Sequence, residues 1–171
     1  MKKLFFIFAA AAMMTACNSN TTATENPTTN DSTSIEQETE EAVVEKMGPC
    51  TVESNELSLD VPEGWKAVVG DFDEITMTKN REDGMTQKIE VSLIPKTAAT
   101  RIDDLFSSGG FEKGADVKMG DKTYLSVRSE SNEFYHSVAD WGEEKCLDIT
   151  TNFIKPEAPE VNAVVSSVKL K

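Results

Sequence analysis

The fold is indicated first by a stretch of ten residues that begins at Glu56: Glu56-Leu57-Ser58-Leu59-Asp60-Val61-Pro62-Glu63-Gly64-Trp65. Polar and apolar residues alternate as far as Val61, and this period of two is typical of a strand with one buried face. Pro62 and Gly64 then favour a turn. The stretch therefore predicts a strand followed by a tight connection.

Strands of the same kind recur along the rest of the chain. The clearest runs over 88–94, where Pro95 ends the alternation. The others are predicted at 74–78, 123–128, 133–141 and 146–154, with shorter pieces at 65–69 and 117–119. Turn residues separate most neighbouring strands, which favours hairpin connections.

Two helices are also predicted. Thr100 is expected to cap the first, because apolar residues follow it at helical spacing until Gly109 and Gly110 end the pattern. The second is predicted from the i, i+3, i+4, i+7 spacing of four residues: Val161, Val164, Val165 and Val168. These valines could instead extend as a strand, since β-branched residues slightly disfavour helix.

Together these elements predict an α+β fold, with an antiparallel sheet of about six to seven strands and two helices packed on it. The alternative is a lipocalin-like β-barrel, which the two helix signals disfavour. The domain is expected to span 47–171.

The composition excludes several function classes. The 171 residues hold 17 Lys and Arg against 30 Asp and Glu, for a net charge of −13, and one histidine. A general nucleic-acid binder needs a basic face, so nucleic acid is not expected as a partner. One histidine excludes a multi-histidine metal site, and we expect no metal and no cofactor. The apolar fraction of 39% indicates that part of the chain does not fold.

The first residues predict export and a lipid anchor. Lys2 and Lys3 precede an uncharged stretch over 4–16, which is too short to cross a bilayer and is typical of a secretory signal. It ends in Met14-Thr15-Ala16-Cys17, which resembles the lipobox of bacterial lipoproteins. The resemblance implies that residues 1–16 are removed and that Cys17 is acylated. The alternative is an ordinary secretory signal with a chance cysteine.

The segment 17–46 is expected to be a disordered tether behind the anchor, because residues 18–45 are rich in Thr, Asn and Glu and hold no Lys, Arg or aromatic residue. Within it, Asp31-Ser32-Thr33 resembles the O-glycosylation motif of Bacteroidota, which implies a glycan on Ser32; chance is the alternative. Surface-exported lipoproteins of that phylum carry acids directly after the cysteine, and this chain does not. We therefore expect an outer-membrane protein that faces the periplasm, with surface exposure left open.

Two further cysteines lie within the domain, Cys50 and Cys146. In an exported protein an isolated pair is most simply a disulfide, which we predict here. The alternative, a redox or metal pair, has no Cys-x-x-Cys motif to support it.

The stretch Leu57-Ser58-Leu59-Asp60-Val61-Pro62-Glu63-Gly64-Trp65 and the ending Ala163-Val164-Val165-Ser166-Ser167-Val168-Lys169 resemble the opening and close of PsbP-like domains. The resemblance covers 56–171 and implies the family's α+β fold. Most members are binding or accessory proteins rather than enzymes. No metal or partner site of the photosynthetic members matches a residue of this chain.

Few residues suggest chemistry. His136 lies mid-strand without a nucleophile motif and is expected to be a partly exposed structural residue. The acids near Asp71 lack the spacing of a calcium loop and are expected to be solvated. Trp141 and Tyr135 are the aromatic residues that we expect to contact a partner.

The sequence therefore predicts a non-enzymatic envelope lipoprotein that is attached to the membrane through its lipid and binds a protein or a small ligand. The alternatives are an envelope hydrolase and a carbohydrate-binding surface protein.

Overall fold

A computed structural model describes residues 44–129 and 133–171. The predicted signal peptide and nearly all of the predicted tether, with Cys17 and Ser32, lie outside the described residues.

The described chain forms twelve strands and two helices. The first six strands are β1 (Lys46–Met47), β2 (Cys50–Glu53), β3 (Leu57–Val61), β4 (Lys66–Val69), β5 (Ile75–Asn80) and β6 (Thr86–Ile94). Helix α1 (Ala98–Ser108) follows, and then β7 (Phe111–Lys113), β8 (Val117–Met119), β9 (Lys122–Ser129), β10 (Phe134–Asp140) and β11 (Cys146–Asn152). Helix α2 (Pro159–Ser167) and β12 (Lys169–Leu170) end the chain.

Nine of the strands form one antiparallel sheet in the order β1-β4-β5-β6-β11-β10-β9-β7, and β8 pairs with β9 beside β7. The other three form a small antiparallel sheet in the order β12-β3-β2. Strands β4, β5 and β6 form one antiparallel meander, and β9, β10 and β11 form another. The pairing of β6 with β11 joins the two meanders in the middle of the large sheet.

The main core lies between one face of the large sheet and the apolar sides of the small sheet and α2. Alternation places Met77, Ile89 and Ile149 on that face, while Leu59 of β3 and Val164 of α2 enclose it. On the opposite face of the large sheet, α1 covers a second, smaller apolar cluster that includes Leu105, Val127 and Val138. The hydrophobic effect, at ~25 cal/mol per Å² of apolar surface removed from water, holds these layers together.

The predicted α+β class is confirmed, with a mostly antiparallel sheet and two helices. The alternative of a lipocalin-like barrel is wrong, because β1 and β7 end the large sheet without pairing with each other. The strands number twelve in two sheets, whereas the sequence predicts about six to seven in one. Strands of two to four residues, such as β1 and β12, are too short to show a period of two.

The cap of the first helix lies three residues before the predicted cap, Thr100. Thr97 is the N-cap, since its side chain accepts a hydrogen bond from the Thr100 backbone at 3.3 Å. The Asp140 carboxylate also accepts a hydrogen bond from the Ala98 backbone at 2.7 Å, which joins the start of α1 to the end of β10. Helix α2 begins at Pro159, a residue that suits a first turn because it has no N–H to leave unpaired.

The predicted disulfide between Cys50 and Cys146 is not formed in the structure, where both are free thiols. Cys146 is buried in the cluster beneath α1, whereas Cys50 packs against the main core. The two side chains therefore contact different apolar clusters. Sequence reasoning could count the cysteines but could not assign them to faces.

None of the helices in the described part of the chain is long and apolar enough to span a membrane.

Candidate functional site

A cavity of about 390 Å³ opens where the chain between β11 and α2 approaches β7, β8 and β9. We call it the basic cleft. Three cationic residues, a buried serine and a half-buried tyrosine are among the residues that line it: Lys113, Arg128, Lys155, Ser126 and Tyr135. Gly114, Ala115, Val117, Pro156 and Glu157 complete the lining.

The register of the central strands places the polar lining on one face of the sheet. Tyr135 of β10 lies opposite Arg128 of β9, and Ser126 lies two residues before Arg128 on the same face. The Gly114 backbone donates a hydrogen bond to the Ser126 carbonyl at 2.8 Å, which holds the chain between β7 and β8 against the cleft. A Cβ atom on Gly114 would lie 3.0 Å from the Ser126 hydroxyl, so a larger residue would crowd that hydroxyl.

The cations around the cleft differ in their partners. Arg128 forms an ion pair with Glu112, with 2.6 Å between Nε and Oε1. Lys113 and Lys155 form no ion pair with any residue that the structure describes. The residues that line the cleft include three cations and one acid, Glu157, in a chain whose net charge is −13, although the pairing of Lys113 with Val127 puts the Lys113 side chain on the α1 face of the sheet.

A second, more open cavity of about 680 Å³ adjoins the basic cleft, and Lys155 and Glu157 line both. Its apolar lining comes from Phe153, Ile154 and Ala158. A ligand held in the cleft therefore has room to extend beyond it over an apolar surface.

Trp141 lies in a different cavity, of about 300 Å³, between α2 and the β8–β9 hairpin. The Lys122 ammonium lies 4.1 Å from the centre of the Trp141 ring and donates a hydrogen bond to the Asp140 carbonyl at 2.9 Å. Tyr124 also lines this cavity, and burial raises the pKa of its hydroxyl to about 12. The structure therefore does not bring Trp141 and Tyr135, the two predicted partner contacts, into one site.

His136 is buried, with 8% of its surface exposed, although the sequence predicts partial exposure. Its Nδ1 lies 3.0 Å from Oδ1 of Asp148, whose other oxygen accepts a hydrogen bond from the Arg101 guanidinium at 2.8 Å. The rings of Phe111 and Phe134 pack edge-on against the imidazole. Among the described residues no nucleophile contacts Nε2 of His136, so the cluster chiefly satisfies a buried carboxylate.

The acidic loop near Asp71 bonds to itself and to the neighbouring chain. The Asp73 carboxylate accepts hydrogen bonds from the backbone and the side chain of Asn55, and Glu74 accepts one from the Phe72 backbone. In residues 44–129 and 133–171 no group of three or more His, Cys, Asp or Glu side chains is placed to hold a metal ion.

Comparison with known proteins found no matching family model, no matching curated protein and no matching solved structure.

The sequence identifies Tyr135 as a contact residue but misses the other residues of the cavity. Lys113, Arg128 and Lys155 are distant in sequence, and the pairing of β7 with β9 and the course of the chain between β11 and α2 bring them to the lining of one cavity. The alternation of Tyr124, Ser126 and Arg128 along one strand is a signal that could have placed two of the lining residues on the core face.

Proposed function

We propose that the protein is a membrane-anchored lipoprotein of the bacterial cell envelope whose folded domain binds a small ligand, without catalysis, in the basic cleft. The cleft carries the proposal. Its volume of about 390 Å³ lies within the ~300–1,000 Å³ usual for ligand sites, which combine an apolar lining with a few placed polar groups. Ser126, Tyr135 and Lys155 are such groups.

The lipobox-like segment that ends at Cys17 supports the anchor, and the composition of 17–46 supports a tether that lets the domain move near the membrane. We place the protein at the outer membrane, facing the periplasm. The fully buried Trp65 after the Pro62–Gly64 turn and the short strand β12 after α2 agree with a PsbP-like domain, which we propose as the finer assignment of the fold.

A second candidate is an envelope hydrolase, and the contact between His136 and Asp148 favours it. In serine hydrolases the acid binds Nδ1 of the histidine, as Asp148 does here, and the nucleophile binds Nε2. Assay of the wild-type protein and of His136→Gln against a panel of esters and glycosides separates the two functions. We expect no turnover from the wild-type protein. Measurable turnover that His136→Gln abolishes would favour the hydrolase.

Photo-crosslinking in the native envelope tests the binding function. A photo-reactive phenylalanine analogue replaces Tyr135, which lines the cleft, or Thr78, which follows buried Met77 on β5 and so lies on the opposite face of the large sheet. After irradiation we expect a discrete small-molecule adduct, measured by mass spectrometry, at position 135 and none at position 78. No adduct at position 135, or equal adducts at both positions, would contradict the function.

A further inference from the structure

The loop between β4 and β5 leaves an aromatic ring in water. Phe72 is 91% exposed, whereas the other exposed large apolar residues that the structure describes reach at most 70%. An aromatic side chain removes ~150–250 Å² of surface from water when another surface covers it. Phe72 therefore offers a partner a large apolar contact that the described part of the domain does not use.

Hydrogen bonds within the loop hold Phe72 in this position. The Gly70 backbone N–H donates to the Glu74 carbonyl at 2.9 Å, and the Asp73 backbone N–H donates to the Gly70 carbonyl at 3.2 Å. The backbone N–H of Phe72 itself donates to the Glu74 carboxylate at 3.0 Å. The backbone is therefore fixed at the residue that carries the ring.

The turn between β2 and β3 holds the same loop from outside. The backbone and side-chain amides of Asn55 donate to Oδ1 of Asp73, at 3.2 and 2.7 Å. Asp73 has a φ of 64°, a left-handed conformation that Asp adopts more readily than most residues. A loop that is already ordered gives up little conformational entropy when it binds, and this raises its affinity for a partner.

Negative charge surrounds the ring. Three acids lie within two residues of Phe72: Asp71, Asp73 and Glu74. Residues 67–78 contain no Lys or Arg, and none of the three carboxylates forms an ion pair with a described residue. Protein surfaces that bind each other carry complementary charge. A surface that covers Phe72 is therefore expected to be apolar at its centre and cationic at its border.

We propose that residues 70–74 form a docking loop that inserts Phe72 into an apolar pocket on another protein, where Lys or Arg residues at the border of the pocket contact Asp71. The docking loop goes beyond the proposed function and is a separate surface, because β6 and β11 lie between β5 and β10, the strand that carries Tyr135. A lipid bilayer is a less favourable occupant, since insertion of the ring would carry the flanking carboxylates toward the hydrocarbon core.

Photo-crosslinking of the full chain in its native envelope identifies what the docking loop contacts. A photo-reactive phenylalanine analogue replaces Phe72 or, as a control, Met85, which is 48% exposed in the turn at the other end of β5. We expect one discrete protein adduct at position 72, mapped by mass spectrometry to an apolar segment beside Lys or Arg, and no such adduct at position 85. Lipid adducts alone, an adduct with a second copy of this chain, or no adduct at position 72 would overturn the proposal.

Binding of the captured protein, once purified, to variants of the full chain with Cys17→Ser decides whether the ring is responsible. Phe72→Ala should weaken binding about tenfold or more, because a central aromatic side chain carries much of the affinity of an interface. It should leave the thermal unfolding midpoint unchanged, because the ring is exposed. Met85→Ala is the matched control and should bind as the wild type does. Equal binding by the wild type and Phe72→Ala, or equal weakening by the two alanine variants, would overturn the proposal.

Asp71→Asn tests the cationic border of the pocket. It should weaken binding about threefold and reduce the loss of affinity that added salt causes, because an exposed pair of charges contributes little and is screened. Affinities for the wild type and for Asp71→Asn at low and high salt measure both effects. A salt dependence that Asp71→Asn leaves unchanged would show that the pocket does not recognise the charge of the loop.

Discussion

At the scale of single residues, the Asp148 carboxylate is removed almost completely from water, with 3% of the residue's surface exposed. It is stabilised by Arg101 from α1 and by His136 from the neighbouring strand, and Thr150 bonds to the same ring nitrogen of His136. A buried carboxylate without such partners would cost several kcal/mol. The cluster therefore also fixes α1 to the sheet.

Removing one partner of Asp148 should destabilise the domain. We expect Arg101→Gln to lower the free energy of unfolding by about 2 kcal/mol, because the carboxylate stays buried while it loses its strongest cation. Urea denaturation measures the change. Arg81→Gln, which breaks the exposed pair with Asp83, is the control and should cost less than ~1 kcal/mol. Equal losses in the two variants would show that burial of Asp148 does not matter.

The buried thiol of Cys146 predicts a pH dependence. Burial, with a smaller contribution from the Asp148 charge, raises its pKa from 9.0 to about 11. Between these pH values the unfolded chain releases the proton and the folded chain keeps it, so rising pH favours unfolding. The loss should reach roughly 2–3 kcal/mol by the time pH passes the folded pKa.

Urea denaturation of wild type and Cys146→Ala at pH 8 and at pH 11 measures this dependence. Both proteins share every other alkaline titration, including that of Tyr124, so the difference between their pH dependences isolates Cys146. If the two proteins lose the same stability over this range, the thiol is not ionising as described. A bond to Cys50 would give that result.

At the scale of elements, Thr97 caps the start of α1, whereas the sequence pattern predicts Thr100 as the cap. Thr97→Ala should lower stability by about 1 kcal/mol, since the Thr100 backbone N–H loses its acceptor. Thr100→Ala, at the cap that the sequence predicts, removes a hydroxyl from an exposed helical position and should change stability much less. Thermal unfolding compares the two, and a larger effect at Thr100 would contradict the observed cap.

The long elements could be predicted because burial on one face imposes a period on the sequence. Strands β3, β5 and β6 show it, and the valines of α2 show the helical period. The short strands β1, β7 and β12 could not be predicted, because tertiary pairing rather than pattern makes them strands. The small second sheet, in which β2 and β3 pair apart from the large sheet, could not be predicted for the same reason.

The candidate site was less predictable than the fold. Tyr135 and Trp141 could be named because exposed aromatic residues are informative by type, but each lines its own cavity. The contact between His136 and Asp148 follows from the register of the β10–β11 hairpin, which pattern alone does not fix. The place of Lys155 in the lining of the basic cleft depends on packing between distant segments.

At the scale of the whole molecule, we propose an anchored terminus and an acidic tether ahead of a folded domain whose basic cleft is a local exception to the net charge of −13. Such a cleft in an acidic protein retains its field only over about a Debye length, ~8 Å at physiological salt. Selection of the ligand is therefore expected to depend on direct contact rather than on long-range attraction.

The anchor has its own test at this scale. Cys17→Ser should move the protein from the membrane fraction to the soluble fraction of the envelope, because acyl chains contribute ~0.8 kcal/mol for each buried CH₂. Fractionation followed by immunoblotting measures the distribution, and Ser19→Ala, two residues away, is the control that should stay with the membrane. A Cys17→Ser protein that remains membrane-bound would contradict the anchor.

Native mass spectrometry of the protein purified from its own envelope tests the central claim, that the cleft holds a small ligand, most directly. We expect a discrete bound mass on the wild-type protein and on Thr78→Ala, which changes the opposite face of the large sheet, and its loss from Tyr135→Ala, which removes a lining side chain of the cleft. A wild-type protein that carries no bound mass, or a Tyr135→Ala protein that retains the same mass, would contradict the claim.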